Sequence, residues 1–221
     1  MELLHTAHVP AGDGPFPTVI ALHGWGASAH DLFGLAPYLH GGEALVLCPQ
    51  GPLAFDIGNG VPGYGWFPLS GGATFDADRF EEAVRMLAAF VDEAIARYPV
   101  EKRKIVLLGF SQGGVMAYAL ALRDPSRFAG LAALSSWLPP ALAGSISRLA
   151  EHELLPTLVQ HGTEDPMIPI EKGRESRDAL RGLGVSLSYS EYEMGHEIRP
   201  EALRDLLVWL DDKVLQPVKL F

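Results

Sequence analysis

Alternating strand-like and helix-like segments predict an α/β fold, a mostly parallel central sheet with helices on both faces. Three observations carry this. Short apolar runs at residues 18–22, 44–48, 105–108, 128–134 and 156–160 have the length and content of buried strands. Stretches with helical apolar spacing lie between several of them. Neither an internal repeat nor a low-complexity linker breaks the alternation, so residues 1–221 read as one domain.

The elements follow in order. Residues 18–22 form a buried strand ending in a Gly-rich turn. Ser28 is placed to cap a short helix running through Leu32 and Phe33 to Leu39, with Asp31 at the capping-box position. The strand at 44–48 leads into residues 49–74, a long loop rich in Gly and Pro that carries Phe55, Tyr64, Trp66 and Phe67. A loop of that length inside a compact domain is usually functional. Asp76 or Asp78 begins an amphipathic helix with Phe80, Val84, Leu87, Val91 and Ile95 on one face, and Pro99 lies beyond its end. The strand at 105–108 is followed by a helix-like stretch at 115–122, and the strand at 128–134 by Ser135-Ser136-Trp137. After the strand at 156–160 come a polar helix over 171–183 and a half-buried alternating strand over 185–190. The last helix spans roughly 200–214, with Leu203, Leu206, Leu207, Leu210 and Val214 on its apolar side. The segment between Leu134 and Pro156 is too short for a lid domain.

Bulk properties narrow the function. With 48% hydrophobic and 20% charged residues, the chain falls in the range of a soluble globular protein. A formal net charge of -10 argues against nucleic acid or an anionic membrane as the main partner, since both select basic patches. Cys48 is the single cysteine, so no internal disulfide forms, which fits a reducing compartment. No basic-then-apolar leader and no apolar run of membrane-spanning length is visible. A cytoplasmic location without membrane insertion is expected.

The most informative segment is Gly109-Phe110-Ser111-Gln112-Gly113, which fits the pattern G-x-S-x-G between a strand and a helix. That context makes it a candidate nucleophile elbow, in which a tight turn presents the serine hydroxyl to a base and to free backbone N–H groups. In sites of this type the partners follow in chain order, acid and then histidine. After Ser111 only His152, His161 and His196 remain. His196 lies between the last strand and the last helix, at the sheet edge to which the elbow delivers Ser111, and is the candidate base. His152 lies in a charged stretch and reads as solvated. His161 ends a strand and reads as packed beside the turn. Asp165, in the loop after strand 156–160, is the candidate acid. Glu164 is its rival, while Asp124 sits at the wrong edge and Asp178 within a helix. The oxyanion donors read as the N–H of Gln112 and the N–H of Trp25, in the loop His23-Gly24-Trp25-Gly26. No cysteine pair, His-Glu-x-x-His, G-x-G-x-x-G or phosphate-binding loop occurs, so neither a metal nor a cofactor is expected. Cys48 ends an apolar strand and reads as a packed core thiol.

With these residues in place, the chain resembles the phospholipase/carboxylesterase family of the α/β-hydrolase fold, which includes acyl-protein thioesterases and small bacterial carboxylesterases. The resemblance rests on residues 18–26, on Cys48-Pro49-Gln50-Gly51-Pro52, on Trp66-Phe67 and on Gly109 through Gly114 with Met116 and Ala117. It also rests on His161-Gly162-Thr163-Glu164-Asp165-Pro166 and Gly195-His196. It implies a lidless serine hydrolase acting on carboxylic esters, or on thioesters. Two positions depart from the family pattern. Pro68 follows Trp66-Phe67 where an acidic residue is common, and Trp25 stands where a small or aliphatic residue is common. The expected activity is hydrolysis of short-to-medium acyl esters through an acyl-enzyme. The alternatives are a thioesterase or lysophospholipase with the same residues, or a catalytically idle binding module. Trp25, Trp66, Phe67, Trp137 and Met167 are expected to bind the acyl chain. The expected partner is a small-molecule ester; a homodimer is left open.

Overall fold

The computed structural model describes residues 3–69 and 76–215. Nine strands occur among them: β1 (His5–His8), β2 (Phe16–Leu22), β3 (Leu45–Pro49), β4 (Leu53–Asp56), β5 (Pro62–Gly65), β6 (Val100–Phe110), β7 (Gly130–Leu134), β8 (Pro156–Gly162) and β9 (Ser186–Tyr192). Seven of them form the central sheet in the order β1-β3-β2-β6-β7-β8-β9. All its pairings are parallel except β1 with β3. The five α-helices are α1 (Ala77–Arg97), α2 (Gln112–Arg123), α3 (Pro140–Ser145), α4 (Ile170–Leu183) and α5 (Pro200–Trp209).

Successive residues of a strand face opposite sides, so the continuous apolar runs build two cores. Ile20, Leu22, Ile105 and Leu107 pack with α1, α2 and α4 on one face. Val19, Ala21, Val106 and Leu108 pack on the other with Leu32, Leu39 and the α5 residues Leu206 and Trp209. The Asp76 side chain caps α1 by accepting from the N–H of Arg79 (3.1 Å), as a carboxylate at a helix start should.

Several expectations are corrected. Ser28 caps no α-helix; the segment forms two short 3-10 turns, Leu32–Leu35 and Leu39–Gly42, and Asp31 makes no capping bond. His40, Gly41 and Gly42 all have positive φ, which breaks any helix there. The stretch after Pro49 contains the antiparallel hairpin β4–β5 rather than a structureless loop, while residues 70–74 lie outside the described residues. β1, missed in the sequence, pairs with β3 at the sheet edge. The last helix stops at Trp209 and continues as a π-helical turn, Leu210–Leu215.

The loops that follow β2, β6, β7, β8 and β9 all leave from the carboxyl edge of the parallel strands, where open α/β sheets bind ligands. Hydrogen bonds extend the ladder past the strand ends: Ser111 N–H donates to Leu134 O (2.9 Å), Ser135 N–H to Gln160 O (2.8 Å) and Thr163 N–H to Tyr192 O (2.8 Å).

Two glycines with helical geometry test how tightly this edge is packed. A Cβ on Gly113 would collide with the Leu22 carbonyl, whereas one on Gly182 in α4 would meet nothing within 4 Å. Gly113→Ala should therefore destabilise the protein by roughly 1–3 kcal/mol through overpacking. Gly182→Ala should stabilise it by about 0.5–1 kcal/mol through helix propensity. Urea denaturation of both variants checks the pair; equal and opposite behaviour from that stated would refute this packing.

Candidate active site

β6 and α2 meet at Ser111 with almost no room between their backbones. A Cβ on Gly109 would strike the carbonyl of Gly113, so the turn requires glycine there. Ser111 adopts φ 53°, ψ -120°, a conformation that non-glycine residues rarely take and that is held only where surroundings dictate it. Here its N–H is bound by Leu134 O, and its carbonyl accepts from Ser136 Oγ (2.7 Å) and from the N–H of Gly114 (2.9 Å). The next residue, Gln112, opens α2. Its N–H is among the first donors of the helix, which have no intrahelical acceptor and sit at the positive end of the dipole.

Asp165 and His196 are brought together. The Asp165 side chain is fully buried, and its Oδ2 accepts from His196 Nδ1 at 2.7 Å. Oδ1 accepts from the N–H groups of Met167 (2.9 Å) and Ile168 (2.8 Å). Because the carboxylate can only accept, the proton of the neutral imidazole sits on Nδ1 and leaves Nε2 as the proton acceptor. The imidazole leans on Phe110, the residue before Ser111, with ring centroids 4.8 Å apart. No hydrogen bond joins His196 to the Ser111 hydroxyl in this conformation.

The rivals lie elsewhere. Glu164 is exposed. Asp124 closes α2 at its far end, and Asp178 pairs with Arg177 at the surface. His152 is fully buried, contrary to the expectation of a solvated side chain. It ties Leu149 N–H (3.0 Å) to the Leu122 carbonyl (2.9 Å), bracing the loop before β8 against the end of α2. His161 packs inside the turn as expected. It also approaches Asp165, which the sequence did not disclose. Burial pushes the Cys48 thiol up to about 11, so it stays protonated at neutral pH.

The loop after β2 is fixed by a buried polar network. His23 Nδ1 donates to Gly24 O (2.7 Å), and its Nε2 accepts from Gly51 N–H (2.9 Å). Burial lowers the His23 pKa from its ordinary value, which keeps Nε2 available as an acceptor. Trp66 Nε1 donates to His23 O (2.9 Å). The Gln112 amide then spans the aromatic pair, accepting from Trp66 N–H (2.8 Å) and donating to Phe67 O (2.7 Å). Trp66 and Phe67 are each 1% exposed, so they brace the site from beneath.

Trp25, by contrast, is 38% exposed and stacks on Phe55, with centroids 4.2 Å apart. Its loop is bound to β5 by Gly26 N–H to Tyr64 O (2.8 Å) and Tyr64 N–H to Ala27 O (3.0 Å). Met167 is 69% exposed, and Trp137 is half-buried against the core. The supporting hairpin had a signal in the sequence, Asn59-Gly60 between short apolar runs. Among the described residues no cluster of three or more His, Cys, Asp or Glu side chains is placed to hold a metal ion.

Comparison with known proteins gives the family and the fold. The phospholipase/carboxylesterase family model matches residues 5–213. An acyl-protein thioesterase 1 of Gibberella zeae is 30% identical over 91% of this chain and 92% of its own. The carboxylesterase SOBER1 of Arabidopsis thaliana is 30% identical over 76% of each, and a crystal structure of SOBER1 superposes with a TM-score of 0.75 over 89% of this chain and 98% of that one. The crystal structure of esterase PE8, 24% identical, matches in fold with a TM-score of 0.83 over 97% of this chain and all of that one. The chain belongs to the phospholipase/carboxylesterase family, hydrolases of the esterase class with the α/β-hydrolase fold.

Proposed function

We propose that the protein is a cytoplasmic, cofactor-free serine carboxylesterase that cleaves small-molecule esters of short-to-medium acyl chains, with Ser111 as nucleophile, His196 as base and Asp165 as acid. The observation that carries this is the buried Asp165–His196 bond at the same sheet edge as a serine in a strained turn. His196 Nε2 takes the proton of Ser111 as Oγ attacks the ester carbonyl. Their hydrogen bond forms in the reacting complex, since such bonds are often unmade without substrate. The N–H groups of Trp25 and Gln112 receive the developing oxyanion. The alcohol leaves with the proton from His196, and water, activated by the same imidazole, releases the acid. Asp165 orients the imidazole and stabilises its charged form without taking its proton.

A thioester enters the same sequence of steps, and the name of the Gibberella zeae relative favours that substrate class as the second reading. A probable inactive carboxylesterase of Oryza sativa is also 30% identical, over 89% of this chain, so an idle binding module is the outcome to be tested against.

Trp25 governs chain length in this reading. Its backbone stands at the oxyanion and its ring is held by Phe55, so the indole shortens the space for the acyl group. Each methylene that fits is worth about 0.8 kcal/mol until steric limits intervene.

Three results are expected. Ser111→Ala should fold, lose fluorophosphonate labelling and lose roughly 10⁴-fold or more in kcat/KM; a folded variant retaining a tenth of the activity refutes the assignment. For the wild type, kcat/KM should fall toward acid pH, because only neutral imidazole accepts the serine proton, and a flat profile down to about pH 5 in folded protein contradicts this. Across a series of acyl esters the optimum should lie near butyrate and move to longer chains in Trp25→Leu. A wild type that prefers palmitoyl esters overturns the pocket.

A further inference from the structure

Asp165 has a second imidazole beside it. His161, the penultimate residue of β8, is completely buried, and its Nε2 lies 3.6 Å from Asp165 Oδ2, longer than a hydrogen bond. The same nitrogen is 2.8 Å from the carbonyl of Ile168. Both neighbours are acceptors, so Nε2 must carry the proton and Nδ1 the lone pair. That lone pair is buried without a partner. A buried, unpaired acceptor is a cost that leucine would avoid in the same space. The neighbouring helix bears a cost as well. Gly173 sits within α4, where alanine would be the better helix former, yet a Cβ there would stand 2.8 Å from His161 Nδ1. Sequence and packing therefore both make room for an imidazole whose only paired atom faces Ile168 and the carboxylate.

We infer that His161 is a positioning residue for the acid, through its Nε2–H. By binding the Ile168 carbonyl it holds the turn in which Met167 and Ile168 direct their N–H groups at Oδ1. Its N–H dipole, 3.6 Å from Oδ2, stabilises the buried carboxylate and tempers its hold on the His196 proton. The other charged groups nearby face solvent. Glu164 is exposed, Glu197 pairs with Arg199, and on α4 Lys172 pairs with Glu175. The inference rests on the proposed roles of Ser111, His196 and Asp165.

The test compares His161→Leu, which fills the space without a donor, with His161→Gln, whose Nε2 lies at a similar reach. Gly173→Ala keeps the histidine but displaces its ring, because a Cβ there would stand 2.8 Å from Nδ1. Each folded variant is measured for kcat, KM and the pH profile of kcat/KM, and by proton NMR for the downfield resonance of the His196 Nδ1 proton. His161→Leu should lower kcat roughly ten- to hundredfold with KM changed far less. It should also move the acid limb of kcat/KM to higher pH and the resonance downfield, because a less stabilised carboxylate grips the imidazolium more tightly. His161→Gln should restore most of kcat and return both signals toward wild type, and Gly173→Ala should shift them as His161→Leu does, by less. The inference is overturned if the limb and resonance of His161→Leu stay in place or move the opposite way, however low kcat falls, or if His161→Gln is no better. Should Ser111→Ala or His196→Gln remain active, the functional reading fails on its own, and the resonance in the His161 variants still decides whether this histidine acts on Asp165.

Discussion

Three backbones converge at the turn after β6, and the rest of the site is spaced by that contact. Gly109 faces the carbonyl of Gly113, and Gly113 faces the carbonyl of Leu22, so β6, α2 and β2 approach as closely as peptide groups allow. The chain cannot make such a turn in ordinary backbone geometry, and Ser111 absorbs the bend at φ 53°. Strain of this kind costs of order 1–3 kcal/mol and persists only where neighbours dictate it. β7 supplies the first constraint through Leu134, and Ser136, two residues beyond β7, supplies the second through its hydroxyl. One close contact thus fixes the serine, the start of α2 and the exit of β2 relative to one another.

The polar network beside the turn extends that rigidity sideways. Gln112, Trp66 and His23 are almost wholly buried, and their side chains form a chain of hydrogen bonds from the start of α2 to Gly51. Hydrogen bonds are stronger where water is excluded, and a partner left unpaired there costs about 1–3 kcal/mol. Any shift of the Trp25 loop away from α2 must break one of these bonds. The network also requires a neutral His23, since a second ring proton would face the N–H of Gly51. Burial of the ring favours that state. The two backbone segments proposed to bind the oxyanion are in this way linked by side chains that never meet a substrate.

The mostly parallel sheet was legible because alternating apolar strands and amphipathic helices demand it. The helix from Asp76 and the Ser111 turn carried local signals strong enough to survive folding unchanged. His196 and Asp165 could be selected because a parallel sheet places the ends of all its strands on one edge. What escaped depended on contacts distant in sequence. Nothing local to Trp66 and Phe67 shows that Gln112, more than forty residues later, binds their backbone. His152 sits among charged residues, and only the end of α2 packed above it removes it from water. The short helix expected after Ser28 failed for a local reason, since Gly34 and Pro37 lie inside it and Asp31 makes no capping bond.

The site therefore has two parts of unequal stiffness. Ser111, Asp165 and His196 hang from strand ends that the ladder bonds tie together, and Asp165 is further fixed by two backbone N–H groups. The exposed aromatic part is built differently. Trp25 rests on Phe55 of the β4–β5 hairpin, a two-stranded piece held to the body by backbone bonds between Tyr64 and the two residues after Trp25, Gly26 and Ala27. Two-stranded hairpins have little stability of their own, so this one depends on the Trp25 loop as much as it supports it. Substitutions in the hairpin can then reshape the surface beside the serine while leaving the buried network below untouched. Trp25 and Pro68 fall on either side of that hairpin, in the part whose surface can change without rebuilding the network below.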